Sequence, residues 1–153
     1  MLAKRFKDVH VGDKFETGSK CLDGDAMKDF ARAYDPQPIH LDEAAAKDSL
    51  LGVLAASGWH VLCESMRLVA DSKPFGSTPL VGMLLERIRF HRPVLPGTEI
   101  LCRGEILETR RSESKTDRGY VLMHIETLDA SSDEVLISQD WRMVVPADVE
   151  ARG

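Results

Sequence analysis

Residues 57–70 read SGWHVLCESMRLVA and contain the strongest helical pattern in the chain. Ser57 and Gly58 open the segment, and the spacing of its apolar residues predicts a helix from Ser57 to about Ala70. The predicted apolar face is formed by Trp59, Leu62, Cys63, Met66, Val69 and Ala70. The charged stripe is narrow and is formed by His60, Glu64, Arg67 and Asp71. Because so little of its surface is charged, we expect this helix to lie in the core with other elements packed around it.

The second half of the chain has the alternation that is typical of strands. A mixed apolar run between Gly82 and Pro93 is followed, from Thr98 onward, by runs in which apolar residues alternate with polar ones. The residues predicted to face the core are Ile100, Cys102, Gly104 and Ile106, then Val121, Met123 and Ile125, then Val135, Ile137, Trp141, Met143 and Val145. The links at 110–119 and 129–133 are short and polar, so the later strands are expected to form an antiparallel meander.

Before the long helix, the signals indicate a short strand at 14–22 and two further helices. Asp23 is a suitable N-cap, and the apolar spacing after it predicts a helix that ends at about Tyr34, where a following proline disfavours helical backbone. A short Ala-rich helix is predicted over 42–50. One long buried helix together with an antiparallel sheet defines an α+β fold.

Length and composition indicate one folded domain. The chain has 153 residues, 43% of them hydrophobic and 29% charged, which suits a single domain over residues 1–153 with a packed core. The net charge is -5 and no basic run is interleaved with aromatic residues, which argues against nucleic-acid binding. The longest apolar stretch, within residues 50–63, is interrupted and too short to span a membrane, so no membrane partner is expected.

The cysteines and histidines indicate the compartment and argue against a metal. The first residues contain no apolar signal segment, and Cys21, Cys63 and Cys102 are widely spaced without a CxxC motif. These features predict a cytoplasmic protein whose reduced cysteines serve as small core residues. No histidine spacing matches a metal site and there is no HExxH motif, so no metal is expected.

The segment DPQPIH, residues 35–40, is the candidate for chemistry. Asp35 and His40 supply a carboxylate and an imidazole, two groups that can move a proton to or from water. In an extended loop, residues five positions apart point to opposite sides, so these two need a turn between them to meet. The alternative is structural: Asp35 caps neighbouring backbone, and His40 is a hydrogen-bonded packing residue.

Four segments of the chain form an ordered set of motifs. They are Phe30-Ala31-x-x-Tyr34-Asp35-Pro36-Gln37-Pro38-Ile39-His40-Leu41-Asp42, then Ala56-Ser57-Gly58, then Pro93-x-x-Pro96-Gly97, then Ser112-x-Ser114-Lys115-x-Asp117-x-Gly119. The set covers most of the chain and resembles the MaoC-like dehydratase family, also called R-specific enoyl-CoA hydratases. The resemblance implies a hot-dog fold, in which an antiparallel sheet wraps around one long central helix, here about residues 57–70.

The resemblance also implies an activity and partners. Members of this family add water reversibly to a trans-2-enoyl thioester, which gives the (R)-3-hydroxyacyl thioester, and the reverse reaction is a dehydration. The implied function is an (R)-specific enoyl-CoA hydratase or 3-hydroxyacyl-CoA dehydratase, a hydro-lyase of fatty acid metabolism that acts on acyl-CoA or another acyl thioester. Such proteins use neither a metal nor an organic cofactor. They pair as homodimers or form higher homo-oligomers, with the acyl tunnel near the subunit interface.

On this chain, the resemblance makes Asp35 the base that accepts a proton from water and His40 the group that holds the water or relays the proton. Backbone N–H groups near Gly58 are expected to stabilise the enolate oxygen. Gln37 and Ser57 are the further candidates for substrate binding, at positions where the family often has Asn and His. Ser57 has a second interpretation as the helix N-cap, and Gly58 has one as a close backbone approach.

Two other functions are compatible with the same fold. A thioesterase directs water to the carbonyl carbon of the thioester, whereas a non-catalytic subunit binds acyl thioesters without turnover. Outside the DPQPIH segment, His60 is expected to make a surface or interface hydrogen bond beside Glu64.

Overall fold

The computed structural model describes residues 1–148. Its helices are α1 (Gly24–Tyr34), α2 (Pro38–Leu41), α3 (Glu43–Lys47) and α4 (Gly58–Ser72), preceded by a 3₁₀ turn at Phe6–Asp8. Its strands are β1 (Lys14–Cys21), β2 (Val81–Phe90), β3 (Glu99–Arg111), β4 (Arg118–Asp129) and β5 (Val135–Pro146). Residues 149–153 of the predicted domain 1–153 lie outside the described residues. No helix in the described part of the chain is long and apolar enough to cross a membrane.

The five strands form one antiparallel sheet in the order β1-β3-β4-β5-β2. The consecutive strands β3, β4 and β5 are neighbours in this sheet, which confirms the predicted meander. β1 pairs with β3 at one edge, and β2 pairs with β5 at the other edge. Within residues 1–148, the outer side of β2 therefore has no strand partner.

The inner face of the sheet and one side of α4 form the core. The alternation predicted for the later strands is confirmed, because Ile100, Met123 and Ile137 are each at most 1% exposed. The buried residues of α4 are His60, Val61, Ser65, Leu68 and Val69. Where α4 crosses the sheet, Ser65 Oγ lies 2.6 Å from Thr127 Oγ1. This pairing explains how two hydroxyl side chains are accommodated among the apolar core residues.

The predicted orientation of α4 about its axis is wrong. Trp59 is 65% exposed and Met66 is 40% exposed, and Cys63 is exposed as well, although all three belong to the predicted buried face. The buried side of α4 is centred near Leu68 and includes His60, which is buried instead of lying at the surface. A single sheet covers only one side of a helix, so apolar residues on the other side stay open in one chain.

The helices before α4 follow the predicted order with one addition. Asp23 caps α1 by accepting a hydrogen bond of 3.0 Å from the backbone N–H three residues later, and α1 ends at Tyr34 as predicted. α3 is shorter than the predicted helix over 42–50, because Asp42 is its N-cap and the helix ends at Lys47. The addition is α2, a single turn that the sequence pattern does not predict.

The predicted core positions of the cysteines are correct for only one of the three. Cys102 is buried beneath α4, whereas Cys21 and Cys63 are exposed. Cys21 ends the edge strand β1, and Cys63 lies on the side of α4 that the sheet leaves open. Residue type alone does not distinguish these positions, because burial here depends on which element covers each one.

Candidate active site

A single helical turn brings the two ends of the DPQPIH segment together. α1 ends at Tyr34, and the N–H of its C-cap residue Asp35 donates to the carbonyl oxygen of Ala31. Extended backbone at Gln37 then leads into α2, where Pro38 occupies the first helical turn, a position that proline favours. His40 lies in this turn, and its Nε2 is 3.3 Å from Asp35 Oδ2. α2 is therefore the turn that Asp35 and His40 need in order to meet.

The ring of His40 is held in one orientation by the carbonyl group of Ala55. His40 is only 7% exposed, and its Nδ1 lies 2.8 Å from that carbonyl oxygen. Because a carbonyl only accepts hydrogen bonds, Nδ1 carries a proton, and Nε2 is then the basic nitrogen of the neutral ring. Nε2 is also the atom that faces Asp35. His40 is thus a buried, hydrogen-bonded side chain whose basic atom points at a carboxylate.

The Asp35 carboxylate is mostly buried and accepts hydrogen bonds from two further side chains. Ser57 Oγ donates to Oδ2 at 2.7 Å, and Gln37 Nε2 donates to Oδ1 at 2.6 Å. These bonds, that of Ser57 first, hold the pKa of the Asp35 carboxyl below its ordinary value of 3.8. Burial of the carboxyl acts against them, and the electrostatic effect of His40 lowers the pKa slightly further. Asp35 is therefore ionised at neutral pH.

The side chains of Gln37 and Ser57 both contact the Asp35 carboxylate. Ser57 is the N-cap residue of α4, but its hydroxyl makes no hydrogen bond to the helix, so the capping interpretation of its side chain is wrong. The side chain of Gln37 likewise does not cap α2. Both side chains donate hydrogen bonds to Asp35, and their direct contact with substrate stays a prediction.

Asp35 and His40 adjoin a cavity of about 480 Å³. Its wall is mostly apolar and includes Leu51, Val61, Leu62, Ile88, Val94 and Ile137. Phe90 and His91 also line it, and His91 Nε2 lies 2.8 Å from Ser138 Oγ. Neither residue was identified as a site candidate from the sequence. The sequence signal that could have identified them is their position just before the Pro93-x-x-Pro96-Gly97 motif. A mostly apolar cavity with a few polar groups suits a ligand with an apolar body and one reacting polar group.

Gly58, the first residue of α4, also lines this cavity. A Cβ atom on Gly58 would overlap the ring of Phe90, which supports the interpretation of this glycine as a close backbone approach. The N–H groups of Gly58 and Trp59 have no acceptor within residues 1–148, as is usual at the start of a helix. These amides give this end of the cavity a partial positive charge.

Two other histidines contribute to the fold. His60 stacks on Phe30 with ring centroids 4.7 Å apart, and its Nε2 lies 3.4 Å from Glu64 Oε1. The predicted partner of His60 is therefore correct, but the contact is in the core. His124 Nδ1 lies 2.6 Å from Asp140 Oδ1. In the described residues, no three His, Cys, Asp or Glu side chains cluster closely enough to hold a metal ion.

Comparison with known proteins identifies the family. The sequence model of the MaoC like domain matches residues 7–126. The chain therefore belongs to the MaoC-like dehydratase family. Among its relatives, the uncharacterized protein YdeM of Bacillus subtilis is 26% identical over 131 residues, which are 86% of this chain and 92% of YdeM.

Solved structures of similar proteins agree with this assignment. The MaoC-like dehydratase from Rhodospirillum rubrum is 36% identical, with a TM-score of 0.88 over 94% of this chain and 97% of that chain. The R-hydratase PhaJ1 from Pseudomonas aeruginosa, in the unliganded form, has a TM-score of 0.72 at 21% identity, over 99% of this chain and 93% of that chain. At 21% identity, the similarity to PhaJ1 is evidence of the fold alone. With the sheet packed on α4, it confirms the predicted hot-dog fold.

Proposed function

We propose that this chain is an (R)-specific enoyl-CoA hydratase, a hydro-lyase that adds water reversibly to a trans-2-enoyl thioester, with Asp35 and His40 as its catalytic residues. The observation that carries the proposal is the 3.3 Å contact between His40 Nε2 and Asp35 Oδ2 beside an apolar cavity. Two proton-transfer groups side by side can bind one water molecule and take its proton. Membership of the MaoC-like dehydratase family supports this class of reaction.

The reaction requires one proton to leave the water and one to reach the substrate. As the water oxygen bonds to the β-carbon, Asp35 accepts the water proton, because Ser57 and Gln37 keep its carboxylate ionised and oriented. The electrons of the double bond move onto the thioester oxygen as an enolate. The proton held by Asp35 passes to the adjacent His40 Nε2 and from there to the α-carbon as the carbonyl re-forms. The hydroxyl on the β-carbon and the hydrogen on the α-carbon account for the whole water molecule.

The start of α4 supplies the group that stabilises the enolate. The N–H groups of Gly58 and Trp59, which have no acceptor in the described part of the chain, belong to residues of the cavity wall. A thioester oxygen bound there meets the positive end of the helix, and its charge is stabilised more as the enolate forms. Loss of one such donor typically raises the barrier by about 3 to 4 kcal/mol.

Hydration of crotonyl-CoA, followed by the loss of the 2-enoyl thioester absorbance, tests this proposal. Asp35→Asn and His40→Gln are each expected to lower the rate by about 10²- to 10⁴-fold, because each removes a proton-transfer group. Matched controls are Asp29→Asn and His10→Gln, whose side chains are 76% and 71% exposed and lie outside the cavity. The controls are expected to match the wild type. Equal rates in all these proteins would reject the catalytic roles.

Two further assays separate the other two functions from the hydratase. Release of free thiol from a saturated acyl-CoA, without hydration of the enoyl thioester, would identify a thioesterase. Tight binding of acyl-CoA without turnover over a series of chain lengths would identify a non-catalytic binding subunit.

We also propose that two copies of the chain pair through β2, at the edge that faces away from β5, to form a homodimer or a higher homo-oligomer. Val81, Met83, Leu84, Leu85 and Phe90 of β2 are each between 49% and 58% exposed. Together with Trp59 and Met66 of α4, they form an apolar patch of the kind that marks interaction sites. The outer side of β2 also offers backbone groups for pairing with a second copy.

Light scattering on the purified protein tests the pairing. The wild type is expected to have the mass of a dimer or a multiple of it, and Leu85→Glu is expected to shift the mass towards the monomer. Leu107→Glu is the matched control, because Leu107 is 41% exposed on β3, away from the β2 edge. A monomeric wild type would contradict the pairing.

The free thiols support a cytoplasmic location for an enzyme of fatty acid metabolism. Cys21 and Cys63 are exposed, and reducing conditions keep exposed thiols free. Alkylation at the moment of cell lysis, analysed by mass spectrometry, is expected to find both thiols reduced. A disulfide on either cysteine would contradict the location.

A further inference from the structure

A β-bulge lies in β2, beside the cavity at Asp35 and His40. The pairing of β2 with β5 shifts between Glu86 and Arg89, where two residues of β2, Arg87 and Ile88, oppose a single residue of β5. A bulge inserts one extra residue into a strand, so the side chains that follow it change faces relative to those before it.

The bulge keeps three apolar side chains of β2 on the face of the sheet that packs towards α4. Leu85 pairs with Trp141 and Phe90 pairs with Ile137, two core residues of β5, and Ile88 lines the cavity. Leu85 and Phe90 are five positions apart, and an uninterrupted strand would point them to opposite faces. Without the extra residue, either Leu85 or both Ile88 and Phe90 would turn to the outer face.

Arg87 has a backbone conformation that glycine usually supplies in such a bulge. Its φ is 52°, in the left-handed region, which is unfavourable for a residue with a Cβ atom. In the described part of the chain, the other non-glycine residues with positive φ are Lys73, at the C-cap of α4, and Asp133, in the turn before β5. Among residues 1–148, Arg87 is therefore the one such residue inside a strand. A conformation of this kind persists where the surrounding structure stabilises it.

The stabilising contact of Arg87 is with Asp140 on the neighbouring strand β5. Arg87 Nε lies 3.1 Å from Asp140 Oδ2, and His124 Nδ1 donates to the other oxygen, Oδ1, at 2.6 Å. The Asp140 side chain is only 5% exposed, and a buried carboxylate needs positive or hydrogen-bonding partners. Asp140 is fixed in the middle of the sheet, whereas Arg87 is 66% exposed on an edge strand. Asp140 therefore holds Arg87, and not the reverse.

We propose that Asp140 is a positioning residue for substrate binding: by holding Arg87 in the bulge, it keeps Ile88 and Phe90 in the wall of the cavity. The proposal rests on the proposed hydratase function, because it takes this cavity as the acyl site. Ile88 then contacts the apolar part of the acyl group, and the Phe90 ring packs against Gly58 at the start of α4. Asp140 itself does not line the cavity, so it acts only through β2.

The test measures the Kd of butyryl-CoA by calorimetry. Asp140→Asn removes the charge that holds Arg87, so we expect Kd to rise about 10-fold as Ile88 leaves the cavity wall and its apolar contact is lost. Adding Arg87→Gly to this variant is expected to return Kd to within about twofold of the wild type, because glycine adopts a positive φ without a stabilising partner. A general loss of stability predicts no such rescue, because the second change does not restore the ion pair. Wild-type affinity in Asp140→Asn, or the absence of rescue, would overturn the proposal.

A second pair of variants leaves Asp140 in place. Arg87→Gly and Arg87→Val both remove the ion pair, but valine is β-branched and strongly disfavours a positive φ. We expect Arg87→Gly to bind butyryl-CoA as the wild type does and Arg87→Val to bind it about 10-fold more weakly. Equal Kd values for these two variants would overturn the proposal.

The matched control is Glu16→Gln. It removes another ion pair between neighbouring strands, that of Glu16 Oε2 with Arg103 Nε at 2.7 Å, and neither residue lines the cavity. This variant is expected to bind butyryl-CoA as the wild type does. Light scattering is expected to give every variant the mass of the wild type. A changed mass in Arg87→Val would show that the bulge acts on the pairing of two copies, which would overturn the proposal.

The readouts separate this proposal from the proposed hydratase function. Binding of butyryl-CoA needs no turnover, so the rescue can be measured in a protein that does not hydrate an enoyl thioester. Hydration of crotonyl-CoA by the wild type tests the hydratase function alone. A wild type that hydrates crotonyl-CoA, together with a failed rescue, would reject the role of Asp140 and leave the hydratase function standing.

Discussion

Two cavities lie along α4, the first at Asp35 and His40 and the second lined by Met66, Gln139 and Trp141. They differ in whether their polar atoms are hydrogen-bonded. In the first cavity, the Asp35 carboxylate is contacted by Gln37, Ser57 and His40, and the second nitrogen of His40 is bound to a backbone carbonyl. In the second cavity, the buried donors of Gln139 and Trp141 have no partner in residues 1–148. The difference is that the protein orients a polar cluster at the first cavity, whereas the second cavity is lined by uncharged and mostly apolar side chains.

The largest effect is expected on the hydration rate, at the Asp35–His40 pair, because the two side chains act as one unit. Combining Asp35→Asn with His40→Gln should lower the hydration rate no further than the stronger single variant, about 10²- to 10⁴-fold or about 3 to 5 kcal/mol in barrier height. The reason is that a proton relay is already lost when either member is absent. The measurement is kcat/KM for the two single variants and the double variant. Additive losses would mean that the two side chains act independently.

The next largest effect is on the free energy of unfolding. It distinguishes the side of α4 that packs on the sheet from the side that stays open. Leu68 is 8% exposed against the sheet, and Leu68→Ala is expected to lower the free energy of unfolding by about 2 to 5 kcal/mol. Met66 lines the second cavity and is 40% exposed, so Met66→Ala is expected to change it by about 0.5 kcal/mol or less. Urea unfolding at low protein concentration measures both. Similar losses would show that the open side is packed as tightly as the core.

A smaller effect is expected at the start of α4. Gly58→Ala places a methyl group where the Phe90 ring lies, so the ring must move and the wall of the first cavity changes. We expect kcat/KM to fall by about 10- to 100-fold, because displacing groups at a reacting centre by about 1 Å has effects of this size. Adding Phe90→Ala to the same protein removes the collision and is expected to restore part of the activity. No restoration would mean that the methyl group acts on the amides of α4 directly.

The smallest effect is a shift in the pH profile. The Ser57 hydroxyl is the largest contributor to the lowered pKa of Asp35, so Ser57→Ala is expected to raise this pKa and to move the acid limb of kcat/KM to higher pH. Since the folded-state pKa of Asp35 lies below its ordinary value of 3.8, the ionised carboxylate stabilises the fold above that pH. This stability is lost as the pH falls through the folded-state pKa. An acid limb that does not move would contradict the role of Ser57.

The α+β class, the strand faces and the DPQPIH segment could all be predicted from local patterns. Alternation identified Ile100 and Met123 as core residues, because side chains in a strand alternate between two faces. The orientation of α4 could not be predicted, because an apolar residue is equally consistent with facing the sheet, a ligand or a second copy of the chain. Ser57 was open to two interpretations for a related reason, since a hydroxyl can cap a helix or bind a distant carboxylate.

The sequence by itself determined the longer helices and strands, their order and the presence of one acid and one imidazole with two prolines between them. These features depend on backbone preferences and spacing, which act over a few residues. Only the tertiary structure decided that Ser57 contacts Asp35 across 22 positions and that the side-chain N–H groups of Gln139 and Trp141 have no acceptor within residues 1–148. Whether a polar atom finds a partner depends on which distant segment packs against it, and that property belongs to the folded chain as a whole.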